Sequence, residues 1–259
     1  MSATGDALQD SAAEDGGDLP QRIEHVATKL FIRNGYHGVS YLGIAKELGI
    51  THSNVHYYYR NKSALAEAVL RRVAADTLAS TSGIWKNPET TLVQKFVQMR
   101  DWVYAAYLQF NPDATGGRPW GLLSRFSMEA DALTPDMKQV IRATLGNLES
   151  DVRLGVEMAC EARELAAGTP IDEVALQIVS VMYLSGQLTR GAAGFSRLDD
   201  LMRATITTIR RAYGTDRHGA VDWPAHVHRQ TSEAEIEVDT RHARAPRAQN
   251  PRSHQETRP

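Results

Sequence analysis

Residues 40–62 read SYLGIAKELGITHSNVHYYYRNK, and the spacing inside this stretch decides the fold. Ala45 is small where two helices would have to cross closely. Gly49 stands four residues on, where the chain must leave a helix with positive φ, a conformation glycine adopts at little cost. Val55, six residues further, is the apolar anchor of a short third helix. A small residue, a glycine and an aliphatic in that order form the helix-turn-helix spacing. Ser40, Thr51 and Asn61 are N-cap types at the starts of a second, third and fourth helix. The pattern predicts a second helix over Tyr41–Leu48, a third after Thr51, and a fourth from Lys62 towards Ser80.

In such a unit the third helix enters the major groove with its N-terminal residues against base edges. Those residues are Thr51, His52, Ser53 and Asn54. Histidine, serine and asparagine all hydrogen-bond to bases or phosphates, and asparagine suits adenine. His56 and Tyr57 follow about one turn later and can reach the DNA backbone. Lys62 opens the next helix, where its charge and the free N–H groups together make a phosphate site. Ser40 and Tyr41 can do the same across the groove. Thr51 is equally a helix cap, Tyr58 serves either core or contact, and Tyr59 belongs with the core. His25 is an ordinary residue of the first helix. The spacing alone recurs by chance in many helical proteins, so its surroundings have to carry part of the weight.

They do. The net charge of −2 conceals an uneven distribution. Residues 1–19 carry five acids and no base, whereas residues 20–75 carry eight Lys/Arg against three Asp/Glu, a local net of +5. A basic module between acidic or neutral segments has the electrostatic form of a phosphate-binding unit, although a solvated charged face gives the same count. Residues 1–19 are expected to be a disordered acidic tail, and residues 216–259 a mostly disordered C-terminal tail. His218, His226, His228 and His242 in the latter are chance histidines before they are metal ligands. The acidic N-terminal tail can compete for the basic face. A single cysteine, Cys160, fits a reducing compartment. No secretory signal or membrane-spanning run is present, which points to a cytoplasmic, nucleoid-associated protein with no membrane partner.

With these neighbours the segment resembles the DNA-binding domain of the TetR family. That pattern runs Gly-Tyr, Thr/Ser, Ile-Ala, Leu-Gly, a short polar recognition helix, an aromatic cluster and a final Lys. This chain has Gly35-Tyr36, Ser40, Ile44-Ala45, Leu48-Gly49, Thr51, Tyr57-Tyr58-Tyr59 and Lys62, followed by Leu65. The likeness covers about residues 20–70; beyond them only the number, order and length of the helices agree. One position departs, with His56 where the family usually places a phosphate-touching Tyr. The resemblance implies a homodimer that presents two recognition helices to a palindromic double-stranded operator. It also implies a small-molecule effector, of unknown identity, that shifts the dimer towards a state with the wrong spacing. The motion is expected to pass through the fourth helix.

Further out the helical punctuation continues, and the expected fold is all-α. A three-helix DNA-binding domain (20–75) precedes a larger helical ligand-binding and dimerisation domain (76–215), with about nine helices in total. The first helix spans about Gln21–Asn34, with Ile23, Val26, Ala27, Leu30 and Phe31 on one face. Later helices are expected from the run after Pro88 to Asn111-Pro112, over Trp120–Leu133, Pro135–Ala167, Ile171–Gly191 and Ser196–Tyr213.

Residues 76–215 contain no histidine, no metal-ligand spacing, no Gly-rich phosphate loop and no nucleophile elbow. No cofactor and no catalytic residue is expected. Glu129/Asp131 and Glu161/Glu164 read as solvated charge. Aromatic and sulfur-bearing residues at helical positions suggest an apolar effector cavity. Trp102, Tyr107, Phe110, Trp120, Phe126 and Met158 are its candidate walls, and the loop 111–119 its mouth. Each of these serves equally well as plain core. Cys160 is a small buried hydrophobe before it is a redox sensor. In the last two helices, Ile178, Met182 and Ser185, with Leu201, Thr205 and Ile209, form stripes suited to a dimer interface. A same-fold activator, a redox- or protein-responsive regulator, and a helical enzyme or scaffold with an incidental helix-turn-helix are the competing readings.

Overall fold

The structure is a computed structural model that describes residues 18–190, 194–216 and 221–224. Most of both expected tails, with His218, His226, His228 and His242, lies outside the described residues. The described chain is all-α, as expected. Its helices are α1 (Leu19–Asn34), α2 (Tyr41–Leu48), α3 (His52–Tyr58), α4 (Lys62–Trp85), α5 (Leu92–Leu108), α6 (Leu122–Met128), α7 (Pro135–Glu161), α8 (Ile171–Leu188) and α9 (Ser196–Tyr213).

The helix starts follow the sequence closely because they are set by local chemistry. Ser40, Thr51 and Asn61 each accept a backbone N–H three residues on, at Gly43, Asn54 and Ala64. Thr91 and Gln94 add a full capping box at α5. Gly49 ends α2 at φ 65°, as the helix-turn-helix spacing requires. In α1 the buried side chains Ile23, Ala27 and Phe31 recur every four residues and face α4 and α2. Ala45 and Val55 are buried between α2 and α3. α4 is longer than expected, running on past Ser80 to Trp85. It packs on α1 and, most extensively, on α7.

Helix ends depart from expectation where a distant residue decides them. The segment 120–133 is not one helix. Trp120 is held outside α6, its indole N–H donating to Thr189 Oγ1 at 2.8 Å. At the other end Glu129 leaves helical geometry, with φ −112° and ψ 32°. Its carboxylate accepts the Tyr36 N–H at 2.7 Å and pairs with Arg125 at 2.9 Å. The remainder forms a 3₁₀ turn, Ala130–Ala132. Likewise α7 stops at Glu161 instead of reaching Ala167. Arg163 turns left-handed at φ 60°, and Ala166 N–H donates to Tyr213 O at 2.7 Å. That bond ties the loop to the end of α9. α8 stops at Leu188, short of Gly191, which is outside the described residues. Among the described residues no helix is long and apolar enough to cross a membrane.

Several buried tyrosines link stability to pH. Burial pushes the hydroxyls of Tyr41 and Tyr107 up to about 12 from their ordinary value of 10.0. In the unfolded chain these groups ionise near 10, so the folded form holds more protons between 10 and 12. Their contribution to stability is intact below pH 10 and is lost as the pH rises through about 12. Lys95, lowered by burial, acts in the opposite sense. The expected result is a melting temperature that falls steeply above pH 10, with a shallower fall in Tyr107→Phe. Equal slopes in the two proteins would refute the assignment to Tyr107.

Candidate nucleic-acid interface

Helix α3 is held from beneath and open above. Val55 is fully buried and pins α3. Tyr41 is buried too, and its hydroxyl donates to Tyr59 O at 3.0 Å, which locks α2 to the end of α3. Tyr59 in turn donates to Glu24 Oε1 at 2.6 Å, and Glu24 pairs with Arg72 at 3.2 Å. Tyr59 therefore serves the core, as expected. The Tyr41 side chain is corrected from a DNA contact to a brace, because its one polar atom is already engaged inside the protein.

Above this base, Thr51, His52, Ser53, Asn54, His56, Tyr57 and Tyr58 are all exposed along α3. Thr51 accepts the Asn54 N–H while its hydroxyl donates to Asn54 Oδ1, leaving the Asn54 Nδ2 donors without a partner among the described residues. The His52 and His56 rings lie 4.5 Å apart, and His56 rests edge-on 4.7 Å from Tyr41. Tyr57 is 83% exposed and Tyr58 41%, so Tyr58 is outside the core. Two large aromatics left in water at the end of a basic helical unit call for a ligand surface. Ser40 is exposed at the α2 N-terminus. Lys62 opens α4 with its ammonium 4.7 Å from the centroid of the Tyr36 ring. Lys46 and Arg60, which motif reading left aside, are exposed on the same module. Only the local charge count signalled them.

Tyr36 joins this module to the helices beyond. Its backbone N–H is held by Glu129, and both Tyr36 and Phe31 pack edge-on against Phe126, at 6.2 and 5.4 Å. Gly35 makes the junction possible, with φ 73° and ψ 178°. A Cβ there would lie 2.2 Å from Glu129 Oε1.

A cavity of about 430 Å³ opens between α4, α5, α6, α7 and α8. Trp102 and Trp120 line it, as the sequence suggested, with Met99, Leu148 and Met182. Tyr107, Phe110, Phe126 and Met158 do not. Tyr107 is buried with its hydroxyl donated to Ala114 O (3.1 Å) and Gly116 O, pinning the loop 111–119. Phe110 lies 6.0 Å beneath the Arg33 guanidinium, and Phe126 serves the Phe31–Tyr36 cluster. The loop is not the mouth either, since the exposed lining residues are Asp76, Ser80, Ala105, Gln109 and Tyr183. Helical spacing marks residues that face inwards but cannot separate solid core from cavity wall. Cys160 is half-buried.

The interface stripe is also corrected. Ile178, Met182, Ser185 and Ile209 are buried within the protomer itself, because a regular apolar stripe is the face a helix turns to its own core. Leu201 and Thr205 are half-buried. The outward face of α8 instead carries Leu176, Tyr183 and Leu184, exposed by 56%, 36% and 44%.

Comparison with known proteins agrees with this architecture. Residues 23–69 match the model of the family described as bacterial regulatory proteins, tetR family. No curated protein matches the sequence significantly. Solved structures do share the fold. A TetR-family transcriptional regulator from Agrobacterium tumefaciens superposes with a TM-score of 0.62 at 19% identity, over 73% of this chain and 96% of its own. A TetR regulator from Legionella pneumophila gives 0.63 at 18%, over 75% and 99%. One from Chloroflexus aurantiacus gives 0.63 at 18%, over 75% and 96%. Residues 23–69 thus match the DNA-binding module of the bacterial tetR-family regulators, and the described helices share the fold of TetR-family regulators of known structure.

Proposed function

We propose that the protein is a homodimeric, cytoplasmic repressor that reads a palindromic operator and releases it when a small molecule enters the α4–α8 cavity. The observation that carries the reading is the open face of α3, where Thr51, His52, Ser53 and Asn54 stand unobstructed above a braced base. Residues 20–75 act as the reading head. Asn54, His52 and Ser53 address base edges, while Ser40, His56, Tyr57, Tyr58 and Lys62 address phosphates. Residues 76–215 hold effector and partner. The outward face of α8 around Leu176, Tyr183 and Leu184, with Leu201 and Thr205 of α9, pairs with its copy across a two-fold axis.

The route from effector to DNA is short. The first turn of α6 lines the cavity, and its last turn sets Phe126 and Glu129 against Phe31 and Tyr36. Tyr36 lies under Lys62, the first residue of α4, and α4 lines the cavity further along with Val73 and Thr77. A ligand that displaces α6 or α4 therefore moves the Tyr36–Lys62 pair, and with it the separation of the two reading heads. The experiment is selection of genomic DNA fragments by purified protein at near-physiological salt. An enriched palindrome, bound by two chains, is the expected result. Binding no better than to random DNA would defeat the operator reading. A reporter driven from the enriched site separates repression from activation.

A further inference from the structure

We infer that His52 and His56 form a chelating site for a late first-row transition-metal ion, Cu²⁺ above Ni²⁺ and Zn²⁺, on the open face of α3. The metal site stands on geometry alone, and its effect on DNA rests on the reading of α3 as the reading helix. The two histidines are four positions apart on one helix, so their side chains rise from the same face one turn apart. Their rings lie 4.5 Å apart, centroid to centroid, and are inclined by 67°. With metal–nitrogen bonds of about 2.0–2.1 Å, two imidazoles in neighbouring coordination positions hold their centroids roughly 4.5–5 Å apart. The pair therefore already stands at the separation a shared ion needs. Rotation of the exposed rings about Cβ–Cγ is what remains to aim one nitrogen of each at a common point.

Both rings are exposed, and neither makes a hydrogen bond or ion pair among the described residues, so their nitrogens are open to a ligand. Their footing is fixed. Tyr41 is buried and tied to Tyr59 O, and its ring meets His56 edge-on at 4.7 Å and His52 at 6.1 Å. A rigid base lowers the ordering cost of closing the chelate. Among the described residues no third His, Cys, Asp or Glu completes the set, so water fills the remaining positions and the ion exchanges freely. The donors select the metal. Imidazole suits copper, nickel and zinc, and affinity along the divalent series peaks at Cu²⁺. Mg²⁺ and Ca²⁺ require oxygen ligands, and the net +5 of residues 20–75 offers them no other attraction. A bound ion occupies His52, which the proposed function gives to a base edge, and it adds positive charge that every phosphate attracts. The specific contact is lost while the non-specific attraction grows, so discrimination between sequences falls.

The test titrates Cu²⁺, Ni²⁺, Zn²⁺ and Mg²⁺ into the full-length protein by calorimetry in a non-coordinating buffer. The tested chain carries His218→Gln, His226→Gln, His228→Gln, His242→Gln and His254→Gln, so that the C-terminal histidines do not contribute. One Cu²⁺ per chain is expected to bind, more tightly than Ni²⁺ or Zn²⁺, with no uptake of Mg²⁺. His52→Ala and His56→Ala should each weaken Cu²⁺ at least about tenfold, because the second ring binds at the high effective concentration the helix sets. The double substitution should be little worse than either single one, since a chelate is lost with either arm. Electron paramagnetic resonance should show two imidazole nitrogens on Cu²⁺, and one in each single variant. Unchanged affinity in either variant, or two ions bound independently with one lost per histidine, would overturn the chelate. Saturating Cu²⁺ should also lower the ratio of operator to random-DNA affinity severalfold, and should leave that ratio alone in His56→Tyr. An unchanged ratio with the metal bound would overturn the effect on DNA and leave the metal site standing. If no operator is selected at all, the operator reading falls while the titration still decides the chelate.

Discussion

Asn54→Ala is expected to lower affinity for the selected operator by about 10- to 100-fold while hardly changing affinity for unrelated DNA. A well-placed base-edge contact discriminates by roughly 1–3 kcal/mol, and sequence-specific loss is the signature of losing one. The substitution is clean because the cap that starts α3 is the Thr51 side chain accepting the Asn54 backbone N–H, which alanine retains. What is lost is the carboxamide, whose Nδ2 donors have no internal partner among the described residues. Lys62→Met provides the contrast. Removing one phosphate contact should weaken specific and non-specific binding together and reduce the salt slope by about one unit per site. Titration of both variants against operator and random duplex, at several salt concentrations, separates the two behaviours. If Asn54→Ala weakened both duplexes equally, the residue would be a backbone contact and the base-reading role would have to move to His52 or Ser53.

Gly35→Ala should destabilise the fold by about 2–4 kcal/mol, and it should do so at the junction through which the effector signal is proposed to pass. The backbone there, φ 73° and ψ 178°, belongs almost to glycine alone, so any side chain brings roughly 1–3 kcal/mol of strain. A new Cβ would also lie 2.2 Å from Glu129 Oε1 and 2.5 Å from Arg125 Nη2, forcing the carboxylate away from Tyr36. The lost charge-assisted hydrogen bond adds to the strain. A drop of several degrees in melting temperature is expected for a chain of this size. Glu129→Gln keeps an acceptor for the Tyr36 N–H and loses only the ion pair with Arg125, so its effect on stability should be much smaller. Alanine tolerated at 35 without loss of stability would show that the turn relaxes and that the Glu129 contact is dispensable.

The helix starts of the N-terminal module were legible in the sequence to the residue, for a physical reason. Helix starts depend on one side chain and a backbone N–H three positions away, so Ser40, Thr51 and Asn61 announce themselves. Gly49 does too, because positive φ strongly favours glycine. A contact between residues four or six positions apart leaves its mark on adjacent letters. Even here one side chain escaped. Tyr41 looks like a groove contact until Tyr59, eighteen residues away, is seen to accept its hydroxyl.

Beyond residue 75 the pattern still marked where helices lie but not what their faces meet. Apolar periodicity reports that a face is hidden from water, and three different neighbours can hide it. Ile178, Met182, Ser185 and Ile209 were hidden by their own protomer, which left Leu176, Tyr183 and Leu184 outside. Tyr107 and Phe126 were hidden by a loop and by the reading head, while Trp102 and Trp120 faced a cavity. The ends of α6 and α7 were decided by Glu129 reaching Tyr36 and by Ala166 reaching Tyr213, bonds across dozens of residues that no local window contains. The amino-acid sequence alone thus determined the fold class and the helix starts, both governed by short-range backbone chemistry, and it nominated the residues proposed to read DNA. Only the tertiary structure decided the cavity wall, the outward face of α8 and the junction at Gly35, because each depends on which distant segment fills the space beside a side chain.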